Sequence, residues 1–176
     1  KVLIKKDLFD PSTIHYSAED MMNVCRKGPI FDPKFIFYKT KNWKNLDKES
    51  QKSFEIFIKT FKKNIEVFDT PSYFDDIPKY HKIIHETDIA NNFQLYYKKY
   101  KKKLSKEMVS AIERGLKNSA TEYVEAIDFM KRSYDSYKEV FEDYHGVLTP
   151  ASSGVAPKGL GNTGSPEFST VWTYLG

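Results

Sequence analysis

Residues 35–69 read FIFYKTKNWKNLDKESQKSFEIFIKTFKKNIEVFD, and the hydrophobic pattern of this stretch decides the fold class. The apolar and aromatic run at 35–38 predicts a strand. Within 47–63, apolar side chains recur at i, i+3, i+4 and i+7, which predicts a helix with one apolar face. The alternating residues 65–68 predict a second strand. Because a strand–helix–strand unit usually joins two parallel strands by a right-handed crossover, the sequence predicts an α/β protein.

Helices dominate the chain outside this unit, so we expect a mostly helical protein with about three short strands. Ser105 is a predicted N-cap, and Ser119 forms the pattern of a capping box with Glu122. The further predicted elements are a helix from Ser17 to Cys25 that ends at Gly28-Pro29, a helix from Asp75 or Asp76 to Lys99, a helix from Ser105 to Arg114, a helix that begins at Ser119, a strand at Val147–Thr149 and a helix that begins near Glu167 and runs to Leu175.

The helix that begins at Ser119 carries the clearest periodic pattern in the chain. Its apolar and aromatic residues are spaced alternately by four and three positions, which predicts a stripe that is buried against another element. Because most of them are tyrosines, we expect their hydroxyl groups to find partners at a boundary of the core. The members of this tyrosine stripe are Tyr123, Ile127, Met130, Tyr134, Tyr137, Phe141 and Tyr144.

The length of 176 residues corresponds to about one domain. Six of the eight glycines fall in residues 146–176, so the composition changes near position 146. We therefore divide the domain into a connecting segment at 1–34, a body at 35–149, and a loop rich in glycine and proline with the start of a helix at 150–176.

The composition excludes several classes of function. The chain has 28 basic and 24 acidic residues, and only three of the basic ones are arginine, so we predict no nucleic-acid partner. No apolar run approaches the roughly 18 residues of a membrane span, so we predict no membrane partner. The single cysteine, Cys25, excludes a disulfide framework and favours a reducing compartment, which predicts a cytoplasmic protein.

Two histidines lie in the pattern of a metal site without completing it. His81 and His85 are four residues apart on one predicted helix, and Glu86 follows them. The zinc-protease pattern has glutamate directly after the first histidine, where this chain has Lys82. We therefore predict no metal site, and interpret the pair as part of a half-buried helix surface.

Three other motifs favour structural interpretations. The stretch Gly159–Gly164 matches the G-x-G-x-x-G pattern, but no strand directly precedes it and Pro166 follows, so it predicts a loop with positive φ angles and no nucleotide cofactor. Ser152-Ser153-Gly154 has no lysine or histidine close in sequence to act as a base. The lysine runs at 98–99 and 101–103 are interleaved with Tyr96, Tyr97 and Tyr100, which is typical of single-stranded nucleic-acid binding but is more simply a solvated helix end.

A series of short motifs occurs in a fixed order between residues 119 and 176. They are Ser119-Ala120-x-x-Tyr123-x-x-Ala126, Phe141-x-x-Tyr144, Val147-Leu148-Thr149-Pro150, Gly154-x-Ala156-Pro157-x-Gly159, Thr163-Gly164-x-Pro166-x-Phe168 and Trp172-x-x-Leu175-Gly176. In this order and spacing they resemble the C-terminal part of the amidase signature family. The earlier predicted elements follow in the family's order, and Asp7-x-x-Asp10-Pro11 resembles the segment after the family's catalytic core, although Lys6 stands where a small residue is common.

The resemblance implies that the chain is the C-terminal portion of an amide hydrolase. Members of the family use a Ser–cis-Ser–Lys arrangement, and those groups belong to an N-terminal portion that these 176 residues lack. No catalytic residue is carried over, no cofactor is implied, and the isolated chain is expected to be inactive. The implied substrate is a small-molecule amide. Phe168 and Trp172 are expected to contact it as walls of the acyl pocket, with burial of Trp172 in the core as the alternative.

The family fold is a continuous mixed sheet with helices on both faces. This chain would contribute outer strands and covering helices, which would leave a strand edge unpaired and an apolar face exposed. We therefore expect self-association or a homodimer of the isolated chain, which light scattering and calorimetry would test. His145 stands where the family usually has an acidic residue, so a side chain that can also donate replaces an acceptor, and the local hydrogen bond is expected to differ.

Two alternatives to the amidase interpretation stay open. One is an A-type subunit of a tRNA-dependent amidotransferase, which would need a partner chain and is disfavoured because Arg114 is the only arginine in its helix. The other is a helical binding module without catalysis, in which the tyrosine stripe would face a partner and its tyrosines would be exposed to solvent.

Overall fold

The computed structural model describes residues 21–28 and 30–176, which belong to two units, 1–33 and 34–176. In the first unit, helix α1 (Met21–Lys27) ends at Gly28, whose φ of +68° is a conformation that glycine adopts without strain. The predicted helix and its end at Gly28 are confirmed. The predicted start of this helix at Ser17 lies outside the described residues. Lys6 and the motif at 7–11 lie outside them as well.

In the second unit, strands β1 (Phe35–Lys39), β2 (Ile65–Asp69) and β3 (Gly146–Leu148) form a sheet in the order β2-β1-β3. Both pairings are parallel, and Phe35 lies opposite Ile65 on one side and Gly146 on the other. The prediction of an α/β, mostly helical protein with three short strands is therefore confirmed. The third strand begins one residue earlier than the sequence predicts.

The second unit contains six helices within residues 34–176, and they follow the predicted order. Asp47, Ser105 and Ser119 are N-caps whose side chains accept hydrogen bonds from backbone N–H groups three residues on. The capping box is complete, because the Glu122 carboxylate in turn accepts the Ser119 N–H at 2.7 Å. The helices are α2 (Lys48–Thr60), α3 (Ile77–Tyr100), α4 (Lys106–Gly115), α5 (Ala120–Lys138), α6 (Val140–Asp143) and α7 (Thr170–Leu175).

The two faces of the sheet are covered by different elements. Phe37 in β1 is fully buried, and its ring meets those of Trp43 and Phe54 at 5.7 Å each, so α2 and the turn before it cover this face. Tyr38 points to the opposite face because side chains alternate along a strand. That face adjoins the main apolar core, which α3 and α7 build with the turn at Ser72–Asp75: Phe74, Ile77, Val171, Tyr174 and Leu175.

The apolar face predicted for the helix at 47–63 is present, but solvent reaches part of it. The rings of Phe57 and Phe61 pack against each other with centroids 4.9 Å apart, and the two residues are 41% and 48% exposed. Val67 and Phe68 on the edge strand β2 are exposed to a similar degree. An exposed apolar face next to a sheet edge favours association, and self-association of the chain stays a prediction.

The tyrosine stripe differs from its prediction in part. Tyr134 and Phe141 are each 49% exposed, whereas burial was expected. A repeat of 3.5 residues drifts around a straight helix of 3.6 residues per turn, and α5 ends at Lys138, so the stripe does not stay on one contact face. The expectation for the hydroxyls is confirmed at two positions: Tyr123 donates to Asp88 at 3.0 Å, and Tyr144 donates to Glu66 at 2.9 Å.

Helices α3 and α4 approach each other at the level of the backbone. A Cβ atom on Gly115 would overlap the carbonyl oxygen of Glu86. The Glu86 carboxylate is buried and accepts the Arg114 Nε–H at 2.8 Å, while Asn118 donates its side-chain amide to Thr87 at 2.9 Å. Arg114, the single arginine of the predicted helix, therefore holds two helices together.

Candidate functional site at the carboxyl edge of the sheet

A threonine directly follows each of the three described strands. Thr40 comes after β1, Thr70 after β2, and Thr149 after β3. Because the strands are parallel, their carboxyl ends meet at one edge of the sheet, and the three threonines lie along that edge. Open α/β sheets bind their ligands at this edge, where the strand order changes direction. The order β2-β1-β3 has such a change next to β1.

Three buried polar atoms near this edge have no hydrogen-bond partner among residues 21–28 and 30–176. They are Oγ1 of Thr40, Oγ1 of Thr149 and Nε1 of Trp172. An unpaired buried polar group costs about 1–3 kcal/mol, and native proteins contain few of them. The two hydroxyls can donate or accept a hydrogen bond, whereas the indole N–H can only donate. Together they match a bound group that both accepts and donates, as a carboxamide does.

Strand register places these groups on the same face of the sheet. Leu148 lies opposite Phe37, so the next residue of β3, Thr149, is level with Tyr38. Tyr38 and Thr40 share a face because they are two residues apart. The Tyr38 ring stacks on Trp172, with ring centroids 6.3 Å apart and planes 24° apart. The candidate site is therefore the carboxyl-edge group of Thr40, Thr149 and Trp172.

A cleft of about 150 Å³ opens beside Thr40, whereas Thr149 and Trp172 are not among the residues that line it. Thr40 and Thr70 line it together with Asn42, and the ion pair between Lys41 and Asp75 crosses its rim. A cavity of about 150 Å³ holds a molecule the size of benzene. The cleft is therefore large enough for a small amide and too small for a nucleotide.

The two residues predicted to contact substrate lie close in sequence and differ in their burial. Phe168 is 2% exposed at the end of the turn Pro166–Phe168. The side-chain amides of Asn42 and Asn45 fix this turn, because they donate to the backbone oxygen and the carboxylate of Glu167 at 2.9 and 2.8 Å. The turn that follows β1 therefore holds Phe168 near the carboxyl edge.

Trp172 lies on α7 among aromatic rings. Its ring centroid is 5.9 Å from that of Phe74 and 6.0 Å from that of Tyr137. The sequence analysis named burial in the core as the alternative role of Trp172, and the ring does lie among aromatic side chains of the core. A purely apolar core position does not explain why the indole N–H of Trp172 is buried without a hydrogen-bond partner.

The sequence analysis did not select Thr40 or Thr149. The available signal was a threonine immediately after each predicted strand, because parallel strands bring such residues to one edge. Thr149 was noticed only as part of a motif. Its lack of a partner depends on packing that the sequence does not show.

Ser152-Ser153-Gly154, which the sequence rejects as a nucleophile loop, has a structural role. The Ser153 carbonyl accepts the Asp47 N–H at 2.9 Å, which docks this loop on the start of α2. Gly154 has a φ of +152°, and a side chain there would overlap the Asp47 carboxylate. The Ser152 hydroxyl donates to the Gly154 carbonyl at 2.7 Å.

The histidine pair is a stacked contact on α3. The rings of His81 and His85 are 5.5 Å apart and nearly parallel. Burial and the neighbouring His85 lower the pKa of His81 below its ordinary value. Glu86 turns away to Arg114, and no group of three or more potential ligands (His, Cys, Asp or Glu) occurs in the described part of the chain.

The glycine-rich loop has the predicted backbone geometry. Gly159 and Gly164 have φ angles of +89° and +95°, which confirms the expectation of positive φ at these two positions. The Asn162 side-chain oxygen accepts the Gly164 N–H at 2.7 Å, which closes a local turn without a ligand.

His145 lies directly before β3. Its Nδ1 accepts the backbone N–H of Lys34 at 3.1 Å, while the backbone N–H of His145 donates to the Lys34 carbonyl oxygen at 2.8 Å. A backbone N–H can only donate, so Nδ1 must be the acceptor. The imidazole therefore provides a hydrogen-bond acceptor through Nδ1 at the entry of β3.

The comparisons with known proteins give no further identification. The chain matches no family model, and it matches no curated protein. None of the helices in residues 21–28 and 30–176 has the length and apolar character that crossing a bilayer requires.

Proposed function

We propose that this chain is the C-terminal portion of an amidase-signature enzyme that hydrolyses the carbon–nitrogen bond of a small amide. The observation that carries the proposal is the order and spacing of the six motifs between residues 119 and 176. The parallel strand–helix–strand unit and a polar group at the carboxyl edge of the sheet support it. The reactive serines and lysine would come from residues outside these 176.

In this proposal the carboxyl-edge group orients the substrate and performs no covalent step. The indole N–H of Trp172 would donate to the amide oxygen, and the hydroxyls of Thr40 and Thr149 would accept from the amide nitrogen. Phe168 and the Trp172 ring would limit the size of the acyl group. Supporting this role, the three polar atoms have no partner within the described chain, so binding would not have to break existing hydrogen bonds.

One alternative is favoured by a specific observation. Tyr134 and Phe141 are half exposed, as a helical binding module that presents its tyrosines to a partner would require. The other five members of the stripe are partly buried, which limits such a surface to these two rings. The amidotransferase alternative has no comparable support, since Arg114 is occupied by Glu86.

The test is ammonia release from a series of small carboxamides by the full-length protein that the gene encodes. We expect release by the full-length protein and none by the 176-residue chain alone. Full-length protein that leaves every amide intact would overturn the proposal, as would an initiator Met directly before Lys1 or rapid hydrolysis by the short chain.

Two conservative variants test the carboxyl-edge group. Thr40→Val and Thr149→Val each replace a hydroxyl group that lacks a partner by a methyl group of similar size, so the melting temperature should stay the same or rise. The loss of one hydrogen bond to substrate should raise KM by about tenfold. The matched control is Thr60→Val, whose hydroxyl is exposed on α2 and bonds to Ile56. A fall in melting temperature with unchanged KM would instead assign the group to structure alone.

A further inference from the structure

The positive charge of this chain is concentrated in one short segment. Residues 98–106 read KKYKKKLSK and contain six lysines and no acidic residue. The whole chain has 28 basic and 24 acidic residues, so the other 167 residues have 22 basic and 24 acidic ones, a net charge of −2. The basic character of the protein therefore belongs to this segment, which spans the end of α3, the turn Lys101–Lys103 and the start of α4. We call it the basic tip.

Most of these charges have no acidic partner. Lys101 forms an ion pair with Glu113 at 2.7 Å and is the only one of the six lysines with such a pair in the described part of the chain. Lys99 and Lys103 lie over the Tyr100 ring at 5.2 and 5.6 Å, which leaves their charge uncompensated. Five of the six ammonium groups in the tip therefore have no ion pair in the described part of the chain.

Exposed apolar side chains lie in the last turns of α3, directly before the tip. Leu95 is 77% exposed and Tyr96 58% exposed, and Phe93 packs its ring against Tyr96 at 6.2 Å. Large apolar side chains exposed beside clustered charges mark a surface that contacts something amphipathic. A cleft of about 560 Å³ at the tip has Leu104 and Val109 in its lining, together with three of the lysines and the glutamate that pairs with Lys101.

We propose that the basic tip binds the surface of an anionic phospholipid bilayer. The lysines would contact headgroup phosphates, and Leu95 and Tyr96 would enter the interface between headgroups and acyl chains. This function lies beyond amide hydrolysis. The sequence prediction of no membrane partner rested on the lack of a spanning run, which a surface contact does not need.

Single-stranded nucleic acid fits the tip less well. A base stacks on an open aromatic face, but Lys99 and Lys103 both lie over the Tyr100 ring. Leu95 has no role in base stacking, and the tip contains no arginine for bidentate contacts with bases or phosphates. The combination of an aliphatic side chain and point charges matches a lipid surface.

The experiment is co-sedimentation of the full chain with vesicles at low salt. We expect binding to phosphatidylcholine vesicles that contain about 30% phosphatidylserine, and none to phosphatidylcholine alone. Each lysine near such a surface contributes about fivefold in affinity, so Lys102→Gln with Lys106→Gln should weaken binding by about 25-fold. The matched control, Lys62→Gln with Lys63→Gln, makes the same charge change on exposed lysines after α2 and should change binding by less than about threefold.

Leu95→Ser tests the apolar part, because it should weaken vesicle binding at high salt, where charge attraction is screened. If the two double-lysine variants lost equal vesicle affinity, the proposal would be overturned, since the attraction would then depend only on the net charge of the chain. Absence of binding to the anionic vesicles would also overturn it. So would a single-stranded oligonucleotide that binds more tightly than the vesicles and displaces them, or millimolar inorganic phosphate that abolishes vesicle binding.

Discussion

Replacing Gly115 by alanine tests whether α4 is held against α3 by direct backbone contact. Gly115 ends α4, and an added Cβ would overlap the Glu86 carbonyl oxygen and approach the Ala90 Cβ to 2.8 Å. Helix propensity alone makes the opposite prediction, because alanine stabilises a helix by about 1 kcal/mol relative to glycine. The two effects differ in sign, so the measured change shows which one dominates.

The size of the destabilisation by Gly115→Ala depends on which atoms can move to relieve the overlap. A backbone carbonyl within α3 cannot rotate away, so α4 must shift outward as a body. Overpacking of this kind costs about 1–3 kcal/mol, and the shift also loosens Ile112, which is fully buried between these helices. Taking about 3 kcal/mol for the clash against about 1 kcal/mol for propensity, we expect a net destabilisation of about 2 kcal/mol. In a domain of this size that lowers the melting temperature by about 4–8 °C.

Urea unfolding followed by circular dichroism, together with calorimetry, measures the change. Gly161→Ala is the matched control, because nothing lies within 4 Å of its added Cβ and its φ is not positive. The control should alter the free energy of unfolding by less than about 0.5 kcal/mol. A Gly115→Ala protein as stable as the native chain would show that the two helices are not in backbone contact, and the reasoning would fail.

Two further substitutions test local interactions. Arg114→Met should lower the urea midpoint more than Lys138→Met, because it leaves the buried Glu86 carboxylate without its cation, whereas the ion pair of Lys138 is exposed. Ser119→Ala should destabilise by about 1 kcal/mol through loss of an N-cap. Hydrogen bonds from Ser119 hold the pKa of Glu122 below its usual range, so their stabilisation is present at neutral pH and is lost as the pH falls through that lowered pKa. The difference between native and Ser119→Ala proteins should therefore shrink at acid pH in a series of urea titrations.

The sequence predicted the features of this fold that depend on residues close together in the chain. The cap at Ser105 and the capping box at Ser119 involve residues three positions apart, and both are present. The apolar run at 35–38, the helix pattern at 47–63 and the alternation at 65–68 were enough to predict parallel strands. The end of α1 at Gly28 follows from one residue's backbone freedom.

Features that depend on distant residues were not predictable in the same way. The sequence predicted the end of this helix within one residue of Gly115, but it did not show that Gly115 permits contact with Glu86, 29 positions away. The lack of partners at Thr40 and Thr149 emerges only when strand register and α7 are known together. Likewise, the exposure of Tyr134 depends on how α5 lies on its neighbours, which periodicity does not specify.

Helix α3 separates the two proposed surfaces, so we expect them to act independently. The cleft at the carboxyl edge has Pro78, in the first turn of α3, in its lining, whereas the basic tip includes the last residues of α3. A helix of 24 residues is about 36 Å long at 1.5 Å per residue. That distance is several times the Debye length at physiological salt, so charges at the tip do not alter the field at the cleft. A tip variant that loses vesicle binding should therefore keep KM for an amide unchanged in the full-length protein, and Thr149→Val should show the reverse pattern.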